Sequence, residues 1–190
     1  EIFTSEEATK MFDLAGIGRA PARLDFKKLE NTCGHHMAMA DDAALLHELQ
    51  AYLVAAGRNP LTKAQETLMK GALPFLKSSA KTFPELIDKA EFLMASRPVV
   101  PDAKAAEALD TVSRGILKSL TPQLQNANWT KEALEPILTE AATANGIGFG
   151  KLAAPLRAAL AGRSVTPSVY DMMLVIGREE TVARLQDASH

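Results

Sequence analysis

Apolar residues recur at three- and four-residue spacing along nearly the whole chain, and no stretch sustains the one-in-two alternation of a strand. A sequence so patterned buries one stripe of each helix against another helix, which makes the expected fold class all-α. Local punctuation divides the pattern. Thr4-Ser5-Glu6-Glu7 reads as a helix cap with a capping-box glutamate. Ala15-Gly16-Ile17-Gly18-Arg19-Ala20-Pro21 is a loop, followed by a predicted helix over 22–31. Another spans 41–56 with Leu45, Leu46, Leu49, Leu53 and Val54 inward, and Gly57 ends it. Thr62 caps the next, which carries Leu68, Met69, Leu73, Phe75 and Leu76, and 83–95 supplies one more. The prolines of Ser96-Arg97-Pro98-Val99-Val100-Pro101-Asp102 then forbid helix continuation and mark an internal boundary. Beyond it helices are expected over 103–120, 131–144, 150–160, 167–176 and 178–186.

With 190 residues and 47% hydrophobic content the chain can build real cores, read here as a short N-terminal piece (1–43) and two helical bundles (44–97 and 98–190). A net charge of −2 and a pI near 6.1 give no global field for a polyanion, so an anionic partner must meet a local patch. One cysteine, Cys33, cannot form an internal disulfide and fits a reducing, cytoplasmic setting. No apolar run reaches membrane-spanning length and no leader pattern precedes the first helix, so no membrane partner is expected. The start at Glu1, directly in a capped helix, reads as a cut from something longer.

The segment 162–180 carries the most local information. Thr166 suits an N-cap, Pro167 the first helical position and Gly177 a stop. Between them Val169, Tyr170, Met172, Met173, Val175 and Ile176 make a helix too apolar to be exposed all round, so one side packs and the other is free to bind. Catalytic constellations are lacking. Cys33, His35, His36 and His47 match no structural-zinc spacing, and the adjacent His35 and His36 would diverge on a helix, so no metal is expected. No Ser/His/Asp or Cys/His nucleophilic set can be assembled, and Gly146-Ile147-Gly148-Phe149-Gly150 lacks the strand and the lysine-serine pair of a phosphate loop.

Three ordered motifs resemble the C-terminal, tRNA-binding half of the bacterial glutamyl-tRNA synthetases. The run from Phe12 through Asp25 with Lys27-Lys28-Leu29-Glu30-Asn31 is similar to the segment after that family's catalytic signature loop. Gly150-Lys151-Leu152-Ala153-Ala154-Pro155-Leu156-Arg157-Ala158-Ala159-Leu160 then runs into the 162–180 stretch in the family's order. The resemblance covers essentially the whole chain. It implies a class I aminoacyl-tRNA synthetase whose Rossmann domain, with its ATP (and Mg) signatures, would precede Glu1; Gly34-His35-His36-Met37 does not replace them. The longer enzyme would attach glutamate to tRNA(Glu), whereas this part would read the anticodon and catalyse nothing alone. DNA is not an expected partner, and a monomer is the expected state.

Matched position by position, Arg157 corresponds to the family's base-contacting arginine, and Thr166, Pro167, Val169 and Tyr170 to the helix start that meets the anticodon. Such groups suit unstacked bases, which are read by ring stacking and edge hydrogen bonds. On residue type alone, Arg157 reads rather as a solvated helix-face cation and Tyr170 as a core-edge ring; the resemblance is what favours binding. Arg19, Arg23, Lys27 and Lys28 fall where the family places tRNA backbone contacts. Many members carry arginine where this chain has Ser79, and that arginine reads the last anticodon base. A hydroxyl cannot reproduce a cationic fork, which implies a non-discriminating enzyme that also charges tRNA(Gln), unless Lys77 or Lys81, further expected tRNA backbone contacts, reaches the same phosphate or base. The competing reading from another class is a helical protein–protein interaction module without RNA binding, which the acidic pI favours.

Overall fold

The computed structural model describes residues 2–18 and 23–190. Among them the chain forms ten α-helices and no strand: α1 (Ser5–Met11), α2 (Phe26–Met39), α3 (Asp42–Ala55), α4 (Lys63–Leu76), α5 (Phe83–Lys89), α6 (Ala103–Ala106), α7 (Thr111–Asn126), α8 (Lys131–Ala144), α9 (Phe149–Ala161) and α10 (Val169–Ala188). The all-α expectation holds. Side-chain caps explain many of the boundaries. Thr4 and Thr62 each close a capping box, with Glu7 and Gln65, and Asp41 accepts from the Ala43 and Ala44 amides. Each such cap is worth about 1 kcal/mol.

Several boundaries differ from the sequence reading. The helix expected over 22–31 begins at Phe26, behind an Asp25 cap, and runs on to Met39, carrying Cys33, His35 and His36 with it. Its expected start at Ala22, like Arg19, lies outside the described residues. Val54 faces out, 61% exposed, because the packed face of α3 carries Leu45, Leu49 and Leu53 and Val54 stands off it. The 83–95 helix splits into α5 and a 3-10 turn at Glu91–Leu93. The 103–120 helix splits into α6 and α7, since Asp110 accepts from the Ser113 amide at 2.7 Å and starts a new helix there.

One cluster of buried side chains runs through both the 44–97 and 98–190 pieces. Its centre is α10, which packs on α4, α7, α8 and α9. Gly177, inside α10, sits at φ 83, ψ 170, so this element is two helical halves meeting at a joint. A helical end leaves its last carbonyls without helical partners. Here the Met173 carbonyl accepts from Trp129 Nε1 at 3.1 Å and from the buried Thr181 hydroxyl at 3.5 Å, while Arg178 donates to the Ala127 carbonyl and lies over the Trp129 ring.

Beyond the joint, Arg184 is 3% exposed. Its guanidinium pairs with Glu180 at 2.7 Å and donates to the carbonyls of Phe92 (2.8 Å), Leu160 (2.5 Å) and Ala95 (3.3 Å). It thus joins the 3-10 turn of the middle piece to the last turn of α9. The N-terminal segment is far less buried: α1 contributes nothing to the core and α2 only Met37. Phe12, Leu14, Ile17, Phe26 and Met39 are all exposed. Lys77, bonded to the Ala40 carbonyl (2.6 Å) and Asp42 (2.7 Å), and Lys81, bonded to Asn31 (2.7 Å), hold this segment to the middle bundle.

Gly162 ends α9 in the left-handed region at φ 67, and a Cβ there would meet the Val100 carbonyl at 2.6 Å. Its own carbonyl accepts from the Asp102 amide at 2.8 Å, closing the linker onto α9. Gly162→Ala is expected to lose about 1–3 kcal/mol in urea unfolding from backbone strain alone. Gly150→Ala, on a helical residue with open space around it, is expected to lose nothing and to gain up to about 1 kcal/mol.

Candidate functional site

A cleft of about 710 Å³ opens between the end of α4 with α5 on one side and the segment 162–168 leading into α10 on the other. Phe75 and Phe92 give it an apolar floor, Ser79 stands at one wall, and Thr166, Pro167 and Asp171 stand at the other. Ser79 is therefore brought together with Thr166 and Pro167, far from it in sequence. Arg163 fixes the two walls: its guanidinium donates to Asp88 at 2.6 Å and to Glu91. The Asp88 hydrogen bond, with the charge of Glu91, raises the Arg163 pKa above the ordinary arginine value.

Thr166 and Pro167 do not start the helix. α10 begins at Val169 behind Ser168, which makes no side-chain cap bond, and the Thr166 hydroxyl instead donates to the Pro167 carbonyl at 2.8 Å. Forgoing a cap costs about 1 kcal/mol, less than the roughly 1.5–3 kcal/mol from burying a valine. Val169, 2% exposed, thus sets the helix start, and its side chain is in the core rather than free to meet a base. Thr166 and Pro167 are left in an extended wall of the cleft, half-buried.

Tyr170 points elsewhere. Its ring stacks on Phe149 with centroids 5.4 Å apart and planes 4° from parallel, so one face is already covered. Burial, with the nearby Glu135 charge, pushes its phenol pKa above the usual value, against a hydrogen bond with Thr139 that lowers it. Arg157 is half-buried on α9, one turn before Ala161, which lines the cleft. It has no hydrogen-bond or ion-pair partner among the described residues, which leaves its donors available.

Ser79 is exposed, but its hydroxyl donates to the Leu76 carbonyl at 3.1 Å within its own turn. The cation beside it is neither Lys77 nor Lys81, both engaged with the N-terminal segment, but Lys89, whose ammonium reaches the Ser79 carbonyl and pairs with Glu85 at 3.4 Å. Sequence reasoning does not single out Lys89, because it belongs to the next helix and only the turn of the chain at 77–82 brings it back. Arg23, Lys27 and Lys28 are exposed on and before the first turn of α2, away from the cleft lining. Among the described residues no group of three or more His, Cys, Asp or Glu side chains could hold a metal, and no helix is long and apolar enough to cross a membrane.

The profile of the anticodon binding domain family matches residues 44–189, most of the chain and both walls of the cleft. The chain belongs to that family. This anticodon-binding domain is 64% identical, over its whole length, to a Glutamate–tRNA ligase 2 of Cereibacter sphaeroides, and 62% identical to a Glutamate–tRNA ligase 2 of Ruegeria pomeroyi. It covers 40% and 41% of those two proteins. Among solved structures it is similar to a glutamate tRNA ligase from Elizabethkingia meningosepticum in complex with its amino acid, with a TM-score of 0.79 and 25% identity. That similarity covers 97% of this chain and 36% of the other. A glutamate-tRNA synthetase from Elizabethkingia anophelis gives 0.72 and 25%, over 96% and 35%.

The two tyrosines of the domain allow a direct test of the Tyr170 environment. Because the folded state favours the neutral phenol, its stabilising effect is intact below the ordinary 10.0 and is lost as pH rises through the folded-state value. Ultraviolet titration should show a phenol ionising above 10.0 that Tyr170→Phe removes. A phenol at the unperturbed value in both proteins would contradict the packing described.

Proposed function

We propose that this domain binds the anticodon loop of a tRNA, with bases entering the cleft between Ser79 and Thr166-Pro167. What supports the reading is the convergence, in a member of the anticodon-binding family, of the candidate residues of two separate helical pieces on a single cleft. The cleft has room for unstacked bases over an apolar floor, and Arg157 stands one turn away with a planar, five-donor fork unspent. Its lining carries the carboxylates of Asp88, Glu91, Asp102 and Asp171 against the cations of Lys89 and Arg163, a balance that repels phosphate and leaves the cleft to bases. The tRNA backbone is then carried by exposed cations outside it, among them Arg23 and Lys27, with Arg19 and Lys28 in the same stretch of sequence.

The chain spans 40% of the length of the first of those relatives, and the reading extends to a longer protein that attaches glutamate to tRNA(Glu) in the cytoplasm as a monomer. ATP with Mg would be handled by the portion outside this chain. The exposed apolar side chains between Ile2 and Met39 fit burial against that portion. Non-discriminating charging, covering tRNA(Gln) as well, is supported by the chemistry at position 79: the Ser79 hydroxyl proton is committed to Leu76, and Lys89 beside it is a point charge without a bidentate fork.

Binding of an anticodon stem–loop should weaken linearly on a log–log plot as salt rises, and Arg157→Ala should weaken it about tenfold. Binding that ignores salt, or no binding at all, would favour the protein–protein module instead. The complete protein is expected to charge tRNA(Glu) and tRNA(Gln) at comparable rates, and a strong preference for tRNA(Glu) in parallel assays would sink the non-discriminating reading.

A further inference from the structure

The charged side chains of the cleft are all committed but one. Arg163 is held by Asp88 and Glu91, and those two carboxylates are thereby satisfied. Lys89 is docked on the Ser79 carbonyl and Glu85. Asp102 caps α6, accepting from the Ala105 amide at 2.7 Å. Asp171 alone, half-buried on the first turn of α10, has neither a hydrogen bond nor an ion pair among the described residues, and it lines the cleft on the same wall as Thr166 and Pro167.

We propose that Asp171 is a specificity-determining residue of the cleft, reading a base that presents an exocyclic amino group, cytosine in place of uracil. The inference rests on the anticodon-binding reading above. A carboxylate is an acceptor only, with two oxygens and no proton to give at neutral pH. It can take the N4 amino donors of cytosine, whereas the O4 carbonyl of uracil would face it acceptor to acceptor. The hydroxyls and apolar side chains of the cleft do not supply that discrimination. The Ser79 hydroxyl proton is engaged with Leu76, the Thr166 hydroxyl proton is spent on the Pro167 carbonyl, and hydroxyls in any case tolerate either partner. The flanking Phe75, Phe92 and Pro167 are apolar walls that hold a ring without telling the two pyrimidines apart. The guanidinium of the cleft lining, that of Arg163, is already occupied by two carboxylates, so Asp171 has no intramolecular cation to lose when a base arrives.

The test is direct binding of short anticodon stem–loops carrying cytosine or uracil at each anticodon position in turn, to the unaltered chain and to Asp171→Asn and Asp171→Ala. The unaltered chain should prefer cytosine at one position by about tenfold. Asp171→Asn, the same shape with an amide that can also donate, should erase or reverse that preference, and Asp171→Ala should erase it, while both variants stay folded, with at most a few degrees lost from the helix-start charge, and keep the salt dependence of the parent. Stem–loop binding with equal affinity for cytosine and uracil at every position, or a cytosine preference unchanged in Asp171→Asn, would overturn the assignment while leaving anticodon binding intact. Failure of the unaltered chain to bind any stem–loop would remove the anticodon-binding reading and this assignment together.

Discussion

The guanidinium of Arg184 is the point on which the packing of residues 44–97 against residues 98–190 depends. A buried cation is costly to desolvate and is retained only where donors and charge are matched. Arg184 meets that condition through Glu180 and the carbonyls of Phe92, Leu160 and Ala95, the Leu160 carbonyl lying in the last turn of α9, where the helix dipole is negative. Two of those carbonyls belong to residues at or beside the cleft: Phe92 is part of its floor, and Leu160 precedes the lining residue Ala161. The same side chain that holds the middle piece to the terminal one therefore sets the spacing of the walls between which a base would fit. On the surface above it, the Arg163 pair with Asp88 and Glu91 repeats the tie in a solvent-exposed setting, where such contacts are worth far less.

The cleft is consequently built differently from the surface around it. Its charges are nearly all neutralised internally, its floor is aromatic, and its free hydrogen-bonding capacity is concentrated in a few groups. That distribution suits recognition of flat, uncharged rings by edge and face, with affinity supplied elsewhere by cations and specificity supplied inside.

Much of the fold was legible in the sequence because helix starts are written locally. Thr4 with Glu7, Asp41, and Thr62 with Gln65 each carry their cap within a single turn. The misplaced boundaries arise where a distant contact, or a second local cap, outweighs such a signature. Thr166-Pro167 has the form of a helix start, yet burial of Val169 moves it; the alanine-rich run after Asp102 favours continuous helix, yet Asp110 restarts it. For the site, the resemblance points to Ser79, Thr166 and Pro167, and the cleft does gather them. It could not show that Val169 is inside, that Tyr170 is stacked on Phe149, or that Lys89 rather than Lys77 or Lys81 stands beside Ser79. Arg184 is the clearest case, since an arginine on a helix reads as solvated until the neighbours that bury it are known.

The joint at Gly177 separates two tasks within one helix. The half beyond it is anchored by Arg184 and does not face the cleft, while the half before it carries Asp171 at its free end. From Asp171 to the joint is about 9 Å of helix, along which Met172, Met173 and Ile176 are buried. The Trp129 indole holds that half through the Met173 carbonyl, from outside the cleft. α10 is thus held at two separate places by different residues, Arg184 beyond the joint and the Trp129 indole before it, and neither of them lines the cleft whose wall carries Asp171.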